Sequence, residues 1–191
     1  MKFDTWFPTV IGRSHCPFIK EIQSKYKKHI KNYPSLDLGF VNKSVHFNPK
    51  FKKLNSWITE EVNKFSQAHH FPGEYEIKES WIWDYKVGGY LDFHRHPGYT
   101  LSALFFLEGH KEDAQTVFRN PIEDMKNPFK TTPYNSRDPN LYNSFTYKTC
   151  RYPPESGLLL VWRSYVDHGV EFKKIPAKRI LFVYNLDPAS S

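Results

Sequence analysis

From residue 77 onward the chain is divided by Gly and Pro into short segments: KESWIWDYK, GYLDFHRH, TLSALFFL, QTVFRN, GLLLVWRS and AKRILFVYNL. They are aromatic and in part β-branched, which is the signature of strands. Six such runs predict a sandwich or a barrel. Between Asn120 and Gly157 the pattern lapses into a stretch carrying Pro121, Pro128, Pro133, Pro139, Pro153 and Pro154 with little periodicity. A segment of that length inside a compact domain usually serves as a lid or binding loop.

Upstream the period is helical. Pro17 can open a helix whose apolar positions Phe18, Ile19, Ile22, Tyr26 and Ile30 recur at helix spacing, with lysines on the other sides. A second helix is predicted from Asn48 as cap and Pro49 as first residue, through Phe51, Leu54, Trp57, Ile58, Val62 and Phe65. The chain therefore reads as a single domain over residues 1–191, with a helical support region at 1–76, a strand-rich core at 77–187 and a lid insertion at 120–156. Its 33 aromatic residues can each bury roughly 150–250 Å², so this core needs neither disulfides nor a structural metal.

Other classes fall away. The longest apolar runs, near Leu158–Trp162 and Ile180–Tyr184, are far short of the roughly 18–20 residues of a membrane span. Asp4, Pro8 and Arg13 interrupt the amino terminus where a secretory signal needs an apolar stretch, so a cytoplasmic protein is expected. Cys16 and Cys150 have no metal-binding spacing. The net charge of +7 raises nucleic acid as a partner. However, residues 1–70 hold 12 Lys or Arg against 5 Asp or Glu, and the remainder of the chain is balanced. The excess therefore belongs to the outer faces of the helices.

Of nine histidines, three have the placement that chemistry requires. His94 and His96 are alternate residues at a strand end, so their imidazoles can share a face and converge on one metal ion. His168 follows the strand GLLLVWRS, which could bring it across a barrel. Two ligands from one strand and one from another leave open coordination positions, and imidazole suits Fe(II). The alternative is that His94 and His96 only cap a turn before Pro97 and Gly98. Arg179 opens the apolar final strand, where a buried guanidinium calls for an anionic partner such as a carboxylate. A metal site beside a carboxylate clamp fits a small dicarboxylate that chelates iron at one end.

These residues carry a family resemblance. Tyr85-Lys-Val-Gly88-Gly89, His94-Arg-His96-Pro97-Gly98, Leu101-Ser102-Ala-Leu-Phe-Phe-Leu107, Ser156-Gly157-Leu-Leu-Leu-Val-Trp162, Asp167-His168, and Arg179 with Tyr184-Asn185-Leu186 stand in order along the chain. From about Trp81 to Leu186 the sequence resembles the 2-oxoglutarate and Fe(II)-dependent oxygenases. The likeness is to a small family, seen in bacteria and phages, with His-x-His-Pro-Gly followed by Leu-Ser. Trp6-Phe7-Pro8-Thr9 is similar to that family's opening.

The resemblance implies a mainly β (α+β) fold, the double-stranded β-helix or jelly-roll barrel, backed by amino-terminal helices. It implies Fe(II), 2-oxoglutarate as co-substrate, and O2, with decarboxylation to succinate coupled to oxidation of a substrate C–H bond, by default hydroxylation. It assigns the metal to His94, His96 and His168 and the distal carboxylate of 2-oxoglutarate to Arg179, with Tyr85 and Ser102 as further pocket candidates. In the wider superfamily a carboxylate stands where this chain has His96. Either the set is three histidines, as the resembled family has it, or Asp92 supplies an oxygen. Leu181 replaces a hydroxyl residue common two positions after the Arg, so a second polar contact must come from elsewhere.

Two rival readings use the same residues. One is a three-His cupin-type dioxygenase that oxidises a metal-bound substrate without 2-oxoglutarate. The other is a non-catalytic basic and aromatic binding module. The primary substrate, whether peptide side chain, amino acid, nucleobase or metabolite, is not encoded in any readable motif.

Overall fold

The computed structural model describes residues 2, 8–29, 40–121 and 147–189. In chain order the elements are β1 (Ile11–His15), α1 (Ile19–His29), β2 (Phe40–Lys43), α2 (Lys52–Ala68), β3 (Tyr75–Asp84), β4 (Leu91–His94), β5 (Leu101–Glu108), β6 (Thr116–Arg119), β7 (Thr149–Tyr152), β8 (Leu158–Arg163), β9 (His168–Val170) and β10 (Ile180–Pro188). Every strand pairing is antiparallel. A larger sheet runs β1-β8-β5-β10-β3-β2 and a smaller one β4-β9-β6-β7, which together make the expected jelly roll.

The apolar character of β5, β8 and β10 follows from burial on both faces. Ala103, Phe105, Leu107, Leu159, Val161, Phe182 and Tyr184 point away from the smaller sheet and pack with Ile22 and Tyr26 of α1 and Leu54, Ile58 and Val62 of α2. The alternate residues Leu104, Phe106, Leu158, Leu160, Trp162, Leu181 and Val183 point between the sheets and meet Phe118 and Val170. Each central strand thus serves two cores, one under the helices and one inside the barrel.

Both predicted helices are present. The Asn48 side chain accepts from the Lys50 N–H and caps a short 3₁₀ turn, Pro49–Phe51, which leads directly into α2. The Glu21 carboxylate at the start of α1 takes Lys25 from its own helix at 2.7 Å and Lys53 from α2. Part of the basic excess is therefore spent joining the helices to each other.

The amino-terminal third is not wholly helical. β1 pairs with β8 and β2 pairs with β3, so residues upstream of 77 complete the larger sheet. Five and four residues are too few for alternation to stand out from flanking loops. β7 likewise lies inside the stretch expected to be a lid and pairs with β6. Prolines on both sides of it, up to Pro139 and from Pro153, hide this four-residue strand in the sequence. Residues 122–146 of that expected lid lie outside the described residues, as do Trp6 and Phe7.

Candidate active site

β4 and β9 lie side by side with His94 opposite His168. Gly169 makes this approach possible, since a Cβ there would come 2.8 Å from the Leu91 carbonyl oxygen. His96, Pro97, Gly98 and Tyr99 then form a tight turn, with Gly98 at φ +92° and the Tyr99 N–H donating to the His96 carbonyl at 3.4 Å. Pro at the second position and a left-handed Gly at the third are what a type II turn demands. This gives His-Pro-Gly a physical role: the chain reverses immediately after His96 and returns Tyr99 to the same cavity.

The three imidazoles converge. Their ring centroids are 4.3 Å (His94 and His168), 4.9 Å (His96 and His168) and 5.2 Å (His94 and His96) apart, and one ligand nitrogen from each falls within 4.8 Å of the other two. Every Nδ1 has an oxygen partner: the Asp92 carbonyl for His94 at 2.9 Å, the Val166 carbonyl for His168 at 3.0 Å, and Asn185 Oδ1 for His96 at 2.5 Å. With Nδ1–H donating, each Nε2 keeps its lone pair for a metal. Burial lowers the His168 pKa to about 3, with His94 and His96 adding to the effect, and burial lowers His96 as well. Neutral imidazoles at pH 7 are the form a metal requires.

Asp92 does not join this group. The β4–β9 register shifts between Leu91 and His94, which breaks the alternation that would have put Asp92 beside His94. Its side chain is exposed, with Oδ1 accepting from the Phe93 N–H.

Ser102 also stands elsewhere than beside Arg179. It pairs with Asn185, several residues along β10 from Arg179, and its hydroxyl contacts His96 Nδ1 at 3.1 Å, Ser164 Oγ at 2.8 Å and Asn185 Oδ1 at 3.0 Å. This hydroxyl buttresses a histidine and does not reach Arg179. Asn185, in turn, receives no role from sequence reasoning although its Oδ1 fixes His96; only its place in the Tyr184-Asn185-Leu186 match marked it.

Arg179 is completely buried. Its Nε donates to the Ala114 carbonyl and its Nη2 to Thr116 Oγ1, both at 3.2 Å, while Nη1 has no partner among the described residues. The guanidinium lies 4.5 Å from the centroid of the Tyr85 ring and 5.4 Å from that of Phe106. Asp113, the nearby carboxylate, is engaged by the buried Lys173 ammonium. Burial pulls the Arg179 pKa below its ordinary value, a loss that Tyr85 and Asp113 do not make up. A buried cation with an open donor and no paired carboxylate is built to receive an anion. Thr116, which sequence reasoning missed, supplies the hydroxyl that Leu181 lacks.

Tyr85 and Thr116 over Arg179, the three histidines, and a wall of Trp81, Trp83, Tyr99, Trp162 and Val183 enclose one cavity of about 450 Å³. Burial raises the Tyr85 phenol to about 12, so it stays neutral against the guanidinium. The donor sets fit a metal at one position and a dicarboxylate reaching from it to Arg179.

Residues 79–185 match the family model described as "Putative 2OG-Fe(II) oxygenase". The chain belongs to this family of 2OG-Fe(II) oxygenases. The match encloses both ends of the cavity. No curated protein matches the sequence of this oxygenase. Among solved structures it is similar in fold to HygX from Streptomyces hygroscopicus with nickel and 2-oxoglutarate bound, at 14% identity and TM-score 0.64, covering 95% of this chain and 84% of that one. It is likewise similar to a Pseudomonas putida prolyl-4-hydroxylase, at 10% identity and TM-score 0.63, covering 95% and 94%. A third similar fold is the non-heme alpha ketoglutarate dependent epimerase SnoN from nogalamycin biosynthesis, at 10% identity and TM-score 0.65, covering 94% and 77%. Among the described residues no helix is long and apolar enough to cross a membrane.

Proposed function

We propose that this oxygenase is a hydroxylase in which His94, His96 and His168 hold Fe(II) and Arg179 holds the distal carboxylate of 2-oxoglutarate. The observation that carries this reading is the pairing, in one barrel, of three converging imidazoles with a buried guanidinium whose Nη1 lacks a partner among the described residues. Bound together, the metal and co-substrate supply an oxidation by O2 in which 2-oxoglutarate becomes succinate and CO2 and a substrate C–H becomes C–OH.

The chain's own part is positional. The Asp92 and Val166 carbonyls and Asn185 Oδ1 lock the three rings, so no reorientation is needed when the metal arrives. Arg179 and Thr116 would hold the far carboxylate of the dicarboxylate and so orient it along the cavity. Trp162 packs edge-on against His168 with centroids 4.8 Å apart and, with Leu104, Leu181 and Val183, keeps water from the co-substrate's length. Trp81 and Tyr99 flank the other side of the cavity, where the substrate carbon would be presented.

Incubation of Fe(II)-loaded protein with 2-oxoglutarate in air tests this reading. Succinate formation, abolished in His168→Ala, is the expected result. O2 consumption without succinate would instead favour a three-His dioxygenase acting on a metal-bound substrate.

A further inference from the structure

Every second side chain along β3 and the residue just after it enters the cavity: Tyr85 against Arg179, then Trp83, Trp81 and finally Glu79 at the opposite end. Among the described residues Glu79 is the one carboxylate side chain on that wall. Its Oε2 accepts from Asn185 Nδ2 at 3.1 Å, and burial together with this carboxylate raises the pKa of the Tyr99 phenol. Among the described residues it has no ion pair, in contrast to Glu21, Glu61, Glu76 and Glu171, which each hold a Lys or Arg. Two neutral donors leave acceptor capacity on a half-buried carboxylate. The Trp81 ring lies 5.7 Å from His96, and Tyr99 returns across the cavity through the Pro97-Gly98 turn. A carboxylate that shares a cavity wall with Trp81 and Tyr99 supplies what selects an organic cation, charge together with aromatic rings for cation–π attraction.

We infer that the substrate carries a positively charged amine, and that Glu79, Trp81 and Tyr99 seat it beside the metal. The inference rests on the proposed hydroxylase reading, because it takes this end of the cavity as the substrate's. Arg179 lies buried against Tyr85 and Thr116 at one end of the cavity, and Glu79 lines the other. The anionic co-substrate is drawn to one and the cationic substrate to the other, so neither competes for the other's place. Glu79 also sits two hydrogen bonds from a proposed metal ligand, through Asn185. Loading this end with a cation therefore bears directly on His96.

Benzylammonium and benzyl alcohol, alike in size and differing in charge, are the probes. Each is titrated under argon into protein holding Fe(II) and 2-oxoglutarate, and quenching of tryptophan fluorescence reports binding. The wild type should bind benzylammonium roughly tenfold or more tightly. Glu79→Gln should bring the two probes within about twofold, and Trp81→Leu should weaken benzylammonium more than benzyl alcohol. Equal binding in the wild type overturns the inference. So does a preference that survives Glu79→Gln, as direct ligation of the amine to the metal would give. The visible band of chelated 2-oxoglutarate, read in the same wild-type cuvette, tests the hydroxylase reading separately. Its absence contradicts that reading, while the fluorescence still decides the preference for a cation.

Discussion

Asn185 Oδ1 stands 2.5 Å from His96 Nδ1, with the Ser102 hydroxyl 3.0 Å from the same oxygen. A strand on the larger sheet thereby orients a histidine that belongs to the turn leaving the smaller one. Removal of this support should loosen the metal without removing a ligand. Asn185→Ala is expected to lower Fe(II) or Co(II) affinity about 10–100-fold, and Ser102→Ala by less. His94→Ala or His168→Ala should abolish tight binding altogether. Metal titration followed by Co(II) absorption distinguishes the three levels, and equal losses at Asn185 and His94 would contradict the division of roles.

Arg179 sets stability against function. Among the described residues no free carboxylate stands beside its buried charge, so an apolar isostere should be tolerated or favoured in the absence of co-substrate. Arg179→Met is expected to unfold at the same temperature as the metal-free wild type or higher, while its affinity for 2-oxoglutarate falls by about 100-fold or more. Thermal melts with and without 2-oxoglutarate check both halves. A large loss of stability in the metal-free variant would mean that the guanidinium serves the fold.

Acid should weaken the metal-free protein through His168. Its pKa is lowered from 6.5 unfolded to about 3 folded, so between those values the unfolded chain binds the extra proton. Stability from this group is complete above about 6.5 and is lost as pH falls toward 3. Melting temperatures in a chelator, taken from pH 7 to pH 5, should fall more steeply for the wild type than for His168→Gln. Parallel slopes would contradict the assignment.

The double use of β10 gives a stability prediction. Phe182 faces the helices and meets Tyr26, Phe51 and Phe105 at centroid distances of 5.7, 5.1 and 6.4 Å. Phe182→Ala should cost about 3–5 kcal/mol in denaturant unfolding. Leu181, its neighbour, faces the cavity, so Leu181→Ala should cost less stability and act chiefly on co-substrate affinity. The reverse pattern would mean the parity of the strand is misassigned.

Legibility in the sequence tracks length and redundancy of signal. β3, β5, β8 and β10 announce themselves through runs of aromatic and branched residues, and α2 through its periodicity and its Asn-Pro start. β1, β2, β7 and β9 have three to five residues each and acquire strand geometry only from their partners. The three histidines and Arg179 were readable because their residue types are costly to bury without a purpose. Ser102 was legible as polar but not in its direction, since its partners His96, Ser164 and Asn185 come from three other segments. Asp92 stands as an alternative to the three histidines only while alternation is assumed regular, and β4 is not regular. Thr116, Glu79 and Asn185 had no signal of their own type, since a single polar residue in a strand reads as solvent-facing until the opposite sheet is known.

The central claim is that metal and 2-oxoglutarate meet between the three histidines and Arg179. Anaerobic titration of Fe(II)-loaded protein with 2-oxoglutarate tests it most directly, through the weak visible charge-transfer band of a bidentate keto-acid chelate. The band should appear and saturate in the wild type, require much higher 2-oxoglutarate in Arg179→Met, and be absent in His168→Ala, which loads no iron. A wild type with no band, or an Arg179→Met titration that superimposes on it, would contradict the account.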